Sequence, residues 1–254
     1  MGLEREGTQE LASDDGRAGR RPRVERLARE TWWRAVDYAA ALHWQLAGTL
    51  AGGDMEEFRH PRAPVGPPVV LVPGVYESWR FLRPLAVLLH GHGLRVHVLP
   101  DLGLNAGPVA HAAEVLGRAL VDRDLRDVAL VAHSKGGLIG KLAMVGHDPE
   151  GRIASMIAVN TPFAGSVYAR YLPLGSIRAF VPTDATIVAL TAERSVNARI
   201  TSIHSAWDPH IPAGSHLDGA ENVVLDTPGH FRPLSDPRLG DLLVARLIGG
   251  PAPR

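Results

Sequence analysis

The sequence predicts one α/β domain, a mainly parallel sheet of about six strands with helices on both faces, and three observations carry that expectation. Short β-branched runs recur through the last three quarters of the chain, and helical patterns separate them. The runs are apolar from end to end instead of alternating, which suits strands buried on both faces. A chain of 254 residues is also the size of a single such domain.

In order, the strands are expected at Val69 to Val72, Arg95 to Leu99, Val128 to Ala132, Ser155 to Val159, Ile200 to His204 and Asn222 to Leu225. Helices are expected at Ser78 to His90, Val109 to Asp122, Gly136 to His147, Ala185 to Asn197 and Pro237 to Ile248. Thr161 to Asp184 has no clear period but concentrates Phe163, Tyr168, Tyr171, Leu172, Leu174, Phe180 and Val181, so it reads as a small cap over a site. No internal repeat is evident.

Ahead of this domain, residues 1–23 read as a solvated tail and residues 24–66 as an amphipathic helix followed by a linker, with the main domain spanning 67–254. Trp32, Ala35, Val36, Ala39, Leu42, Leu46 and Leu50 recur at spacings of three and four and would share one face. That face is expected to pack on the outside of the main domain; peripheral membrane contact through residues 31–50 is the lesser alternative. Arg34, Asp37, His43 and Gln45 interrupt the segment too often for a membrane span. Gly52, Gly53 and the four prolines between Pro61 and Pro68 then break the helical pattern.

Composition narrows the function. The 27 basic and 27 acidic residues cancel, so no global field recruits nucleic acid, and a small molecule is the expected partner. With no cysteine there is no disulfide, no thiolate nucleophile and no Cys-bearing zinc site. The N-terminus lacks the apolar stretch of a secretory signal, which points to the cytoplasm.

Chemistry enters at VALVAHSKGGLIGKLAM, where Ser134 stands between a strand and a helix with small residues around it. Ala132-His133-Ser134-Lys135-Gly136 matches the GxSxG nucleophile elbow, except that Ala replaces the first Gly. Small residues are needed because the strained turn leaves no space beside the serine. Ser134 could also be a plain helix N-cap. His133 neighbours it but points to the opposite face of its strand, so it packs below the turn and is a poor base. Lys135 would offer its backbone N–H to an oxyanion at the positive end of the helix, with its ammonium a surface charge.

VLVPGVYESWRFLRPL, followed by VALVAHSKGGL, NTPFAG, AWDPHIP and PGHF, resembles the α/β-hydrolase superfamily across residues 67–248. The AHSxGG elbow and the short layout with little or no lid are similar to small bacterial lipases and esterases of the Bacillus lipase A type. The resemblance implies the order Ser, acid, His, with acid and base on loops after later strands. It selects Asp208 in SAWDPHIP and His230 in DTPGHF, 74 and 96 residues beyond Ser134 by subtraction. Asp226 is the strongest rival acid, but it shares a loop with His230. His204, His210 and His216 match no metal-ligand motif, so no metal and no cofactor are expected.

The resemblance also implies that a second oxyanion donor comes from VPGVYES, with Val75 or Tyr76 as the donor and Gly74 letting the backbone approach the substrate. Phe163 and Tyr168 of the cap would contact an apolar acyl group. The implied activity is hydrolysis of carboxylic esters. An acyltransferase or thioesterase would use the same residues, and a binding protein could keep the fold without catalysis.

Overall fold

The computed structural model describes residues 20–50, 54–171 and 173–249. The expected tail through residue 19, the two glycines Gly52 and Gly53, and Leu172 of the cap lie outside the described residues. The strands are β1 (Val69–Val72), β2 (Val96–His97), β3 (Val128–His133), β4 (Ile153–Val159), β5 (Ile200–Ser205) and β6 (Glu221–Leu225). All pair in parallel in the order β2-β1-β3-β4-β5-β6. Strand order reverses at β1 and β3. Connections leaving these two neighbours diverge to opposite faces and open a crevice at their C-terminal ends, where α/β proteins bind ligands.

The helices are α1 (Arg20–Leu50), α2 (Arg83–Gly91), α3 (Val109–Asp122), α4 (Lys135–Gly146), the short α5 (Gly175–Arg178), α6 (Ala185–Ala192) and α7 (Pro237–Ile248). Two of the expected helices differ. The first opens with a 3-10 turn at Trp79–Leu82 before α2, because Pro84 sits comfortably only in a helix's first turn. The one starting at Ala185, capped by the Asp184 carboxylate on the Thr186 N–H, ends at Ala192 instead of reaching Asn197.

Alternate residues of β1 and β3 feed two cores. Val70, Val72, Leu130 and Ala132 meet Leu116, Leu120, Leu138 and Ile139 of α3 and α4 on one face. Val69, Leu71, Ala129 and Val131 meet Leu85, Leu89, Leu239 and Leu243 of α2 and α7 on the other, where Trp44 of α1 also packs. Every residue of β3 is buried, so the central strand reads as an unbroken apolar run.

Helix α1 covers the segment where the periodicity placed it, starts at Arg20 inside the stretch expected as tail, and docks with a different face. Trp32, Leu42, Leu46 and Leu50, expected to face the domain, are 67%, 59%, 50% and 81% exposed. The buried positions are Asp37, Trp44 and Gly48. Trp44 donates its indole N–H to Ser235 Oγ, Trp33 lies 5.3 Å from the ring of Trp207, and Gly48 sits so close to the Arg80 carbonyl that any side chain there would collide. Specific polar and aromatic contacts fix the helix, and its most apolar stripe is left outside.

Candidate active site

Ser134 begins where β3 ends, with φ at +52°, a conformation that costs a non-glycine residue about 1–3 kcal/mol. The turn is held from both sides. Its N–H donates to the Val159 carbonyl at 2.9 Å, tying it to the end of β4. Gly136 presses on the Val72 carbonyl at the end of β1 and Gly137 on the Thr161 side chain, so a methyl at either would overlap its neighbour. The serine is thereby lifted above the sheet at the head of α4, whose first N–H groups have no partner within the helix.

Ser134, Asp208 and His230 come together from loops after β3, β5 and β6. Ser134 Oγ lies 2.9 Å from His230 Nε2, and His230 Nδ1 lies 2.7 Å from Asp208 Oδ2. The other oxygen of Asp208 accepts the backbone N–H groups of His210 and Ile211 at 2.7 and 3.1 Å, a local turn formed by the Asp-Pro-His-Ile sequence. Burial opposes the charged form of His230, but Asp208, and after it Glu77 and Asp37, outweigh this and raise the imidazole pKa. Asp208 is held below the usual carboxylate range: burial pushes it up, and the His230 imidazole and the His210 N–H pull it down further.

The backbone of His230 is fixed at both ends. Its carbonyl accepts from Asn160 Nδ2 at 2.8 Å and His133 Nε2 at 3.1 Å. Its N–H donates to Asp37 Oδ2 at 2.9 Å, while Phe231 and Arg232 donate theirs to Asp37 Oδ1, also at 2.9 Å. Asp37 is fully buried, and the absent side chain of Gly229 makes room for its carboxylate. A carboxylate of α1 thus caps the turn that carries His230.

Under the site, His133 Nδ1 meets the buried Glu77 carboxylate at 2.8 Å, and Glu77 Oε2 accepts the Gly74 N–H at 2.6 Å. The expectation that His133 packs below the turn holds. Gly74 is different: its Cα faces Glu77, so it makes room for that carboxylate and its N–H is already committed. Val75 and Tyr76 line the cavity instead.

Lys135 is corrected more strongly. Its ammonium is buried and donates to the carbonyls of Asn105 and Gly107 at 2.7 and 2.5 Å and to Asn105 Oδ1 at 3.1 Å, because the loop after β2 folds over α4 and presents those oxygens. Burial lowers its pKa to about 8. Asn105 in turn donates to the Pro73 carbonyl at 2.7 Å, so the lysine braces the loop beside Val75.

A cavity of about 980 Å³ opens above Ser134 and His230. Tyr38, Ala41 and Leu42 of α1 form one wall, and Tyr168, Tyr171, Ile177 and Phe180 of the cap another. Tyr168 is a cavity-lining residue. Phe163 is not: it is buried in the core, with the Lys141 ammonium 5.9 Å from its ring centre. His210, of which the sequence said only that it matches no metal-ligand motif, lines the cavity stacked on His230, ring centres 4.7 Å apart at 22°. Burial and the neighbouring imidazole push its pKa down to about 3, so it stays neutral. Among the described residues, no group of three or more His, Asp or Glu side chains is arranged to hold a metal ion.

No family model matches the sequence, and neither does any curated protein. Solved structures do match. The mature form of a Bacillus licheniformis lipase superimposes with a TM-score of 0.58 at 17% identity, over 78% of this chain and 96% of that one. The chain has the α/β-hydrolase fold. An extracellular α/β-hydrolase from a Paenibacillus species gives 0.52 at 15% identity over 72% and 99% of the two chains. Carboxylesterases of Nitrososphaera gargenis are represented by a structure at 0.50 and 15% identity, over 73% and 91%. Within this α/β-hydrolase fold, the parts that sequence reasoning missed are Asp37, Glu77, Asn160 and His210. Asn160, the first residue of the NTPFAG motif, carried a weak signal, since asparagine tolerates better than most residues the positive φ, +47°, that it adopts there.

Proposed function

We propose that the chain is a serine hydrolase that cleaves carboxylic esters with an apolar acyl group. The observation that carries this reading is the continuous hydrogen-bonded chain from Ser134 Oγ through His230 to Asp208, opening onto a cavity walled by aromatic and aliphatic side chains. In this reading Ser134 is the nucleophile, His230 the general base and Asp208 the group that fixes the imidazole tautomer.

Ser134 Oγ attacks the carbonyl carbon as its proton passes to His230 Nε2. The oxyanion is held by the N–H of Lys135 and by that of Val75 or Tyr76. Collapse of this intermediate breaks the bond to the alkoxide, which leaves as the alcohol with the proton from His230. Water then attacks the acyl-enzyme, giving its proton to His230. The acid departs and Ser134 recovers its proton. Throughout, the Asp208 carboxylate stays ionised and stabilises the imidazolium.

The raised pKa of His230 suits a base, and the neutral His210 stacked on it adds no competing charge. A cavity of 980 Å³ is at the upper end for small-molecule sites and accommodates an extended acyl chain. Chromogenic esters of increasing acyl length test the reading. Wild type is expected to prefer medium or long chains, and Ser134→Ala to lose on the order of 10⁶ in kcat. Equal turnover by both proteins would exclude Ser134 as nucleophile.

A further inference from the structure

Between Thr31 and Leu50 the exposed residues of α1 are Thr31, Trp32, Ala35, Tyr38, Ala39, Leu42, His43, Leu46, Thr49 and Leu50, with no Asp, Glu, Lys or Arg among them. At 1.5 Å per residue this outward face runs for about 30 Å. Its inner edge is the cavity wall, since Tyr38 and Leu42 belong to both. Across the cavity mouth stand Tyr76, Leu104, Tyr168 and Tyr171, between 41% and 69% exposed. Apolar surface therefore extends from the outer side of α1, around the mouth, to the cap. Patches of this extent on a monomer mark interaction sites.

Charge identifies the occupant. Residues 17–34 contain seven arginines (Arg17, Arg20, Arg21, Arg23, Arg26, Arg29 and Arg34) against Glu25 and Glu30, although the whole chain is neutral. Arg29 and Arg34 lie over the rings of Trp33 and Trp207, which places guanidinium groups beside indoles at this end of the helix. An uncharged face with Trp and Leu, flanked by arginine, is the composition of a helix lying in the headgroup layer of an anionic membrane.

The rival occupants fit less well. A second copy seated here would offer the seven arginines only Glu25 and Glu30 from its own helix and would cover the cavity mouth. The residues before the helix, MGLEREGTQELASDDGRAG, offer only Met1, Leu3 and Leu11 as large apolar side chains to cover it. No helix among the described residues is long and apolar enough to cross a membrane, so contact would be peripheral.

We propose that the outward face of α1 docks the protein on an anionic lipid surface with the cavity mouth turned toward the lipid, so that substrate enters from the membrane. Only the nature of the cargo rests on the ester-hydrolase reading; the docking does not.

The test is co-sedimentation of the full-length chain with vesicles of dialkyl-ether phosphatidylcholine, with and without dialkyl-ether phosphatidylglycerol, lipids that carry no ester to cleave. Wild type is expected to bind the anionic vesicles and to leave them as salt is raised. A variant combining Trp32→Ser, Leu46→Ser and Leu50→Ser, none of which lines the cavity, is expected to bind about tenfold or more weakly. It should keep the melting temperature and its turnover of a short water-soluble ester. Failure of wild type to bind, or equal binding by the variant, overturns the proposal. So does a wild-type dimer that the triple substitution makes monomeric while neither binds vesicles. Binding without turnover of any ester would instead overturn the hydrolase reading and leave the docking intact.

Discussion

Asp37 Oδ2 accepts the backbone N–H of His230 at 2.9 Å across 193 residues of sequence. With Phe231 and Arg232 bonded to the other oxygen, one carboxylate from the N-terminal helix satisfies three consecutive amides of the turn that carries the proposed base. The helix is therefore part of the site's architecture and not an addition beside it.

Asp37→Ala leaves those three amides without an acceptor and frees the His230 turn to drift. Because displacement of a reacting group by about 1 Å can cost 10²-fold, kcat is expected to fall by about 10- to 100-fold with KM less affected. Asp37→Asn keeps the shape and one acceptor oxygen, and should recover part of the rate. Steady-state kinetics on a soluble ester decide it. Rates equal to wild type in both variants would contradict the structural role.

The pH profile follows from the sign of the His230 shift. A protonated imidazole cannot take the Ser134 proton, and its pKa is raised, so kcat/KM should climb with pH through a midpoint above the ordinary imidazole range. Asp37 contributes to that rise. Asp37→Asn should accordingly move the midpoint to lower pH, an effect that looser packing alone would not produce. A wild-type midpoint below the ordinary range would contradict the electrostatic account.

Lys135→Met removes the ammonium that ties together Asn105 and Gly107 and leaves the oxygens of the buried Asn105 without it. Loss of the charge-assisted bonds is expected to lower stability by about 2–4 kcal/mol, read from urea unfolding, and to loosen the loop beside Val75. An unchanged midpoint and slope would mean that water replaces the lysine at no cost.

What the sequence disclosed depended on how local the cause was. The central strands β1 and β3 were the most legible because burial on both faces makes them apolar over almost their whole length. Ser134, Asp208 and His230 could be selected because a turn motif and the residue order implied by the α/β-hydrolase resemblance single them out, and the structure brings these three side chains into hydrogen-bond contact. The orientation of α1 was not legible. Periodicity groups Trp32, Leu42 and Leu46 as an inward face, but Asp37 and Trp44 each find a distant polar partner, and those partners decide which side docks. Lys135 was misread for the same reason: its carbonyl acceptors lie about thirty residues away, and a lysine without visible partners reads as surface. Phe163, expected at the cavity, enters the core, while His210, which carried no expected role, reaches the cavity wall.

The central claim is that Ser134 is a nucleophile activated by His230. The most direct measurement is covalent labelling with a fluorophosphonate, followed by peptide mass spectrometry to locate the adduct. Stoichiometric phosphonylation of Ser134 in the wild type, lost in Ser134→Ala and strongly slowed in His230→Ala, is the predicted result. An unlabelled Ser134, or labelling that proceeds as fast without His230, would contradict it.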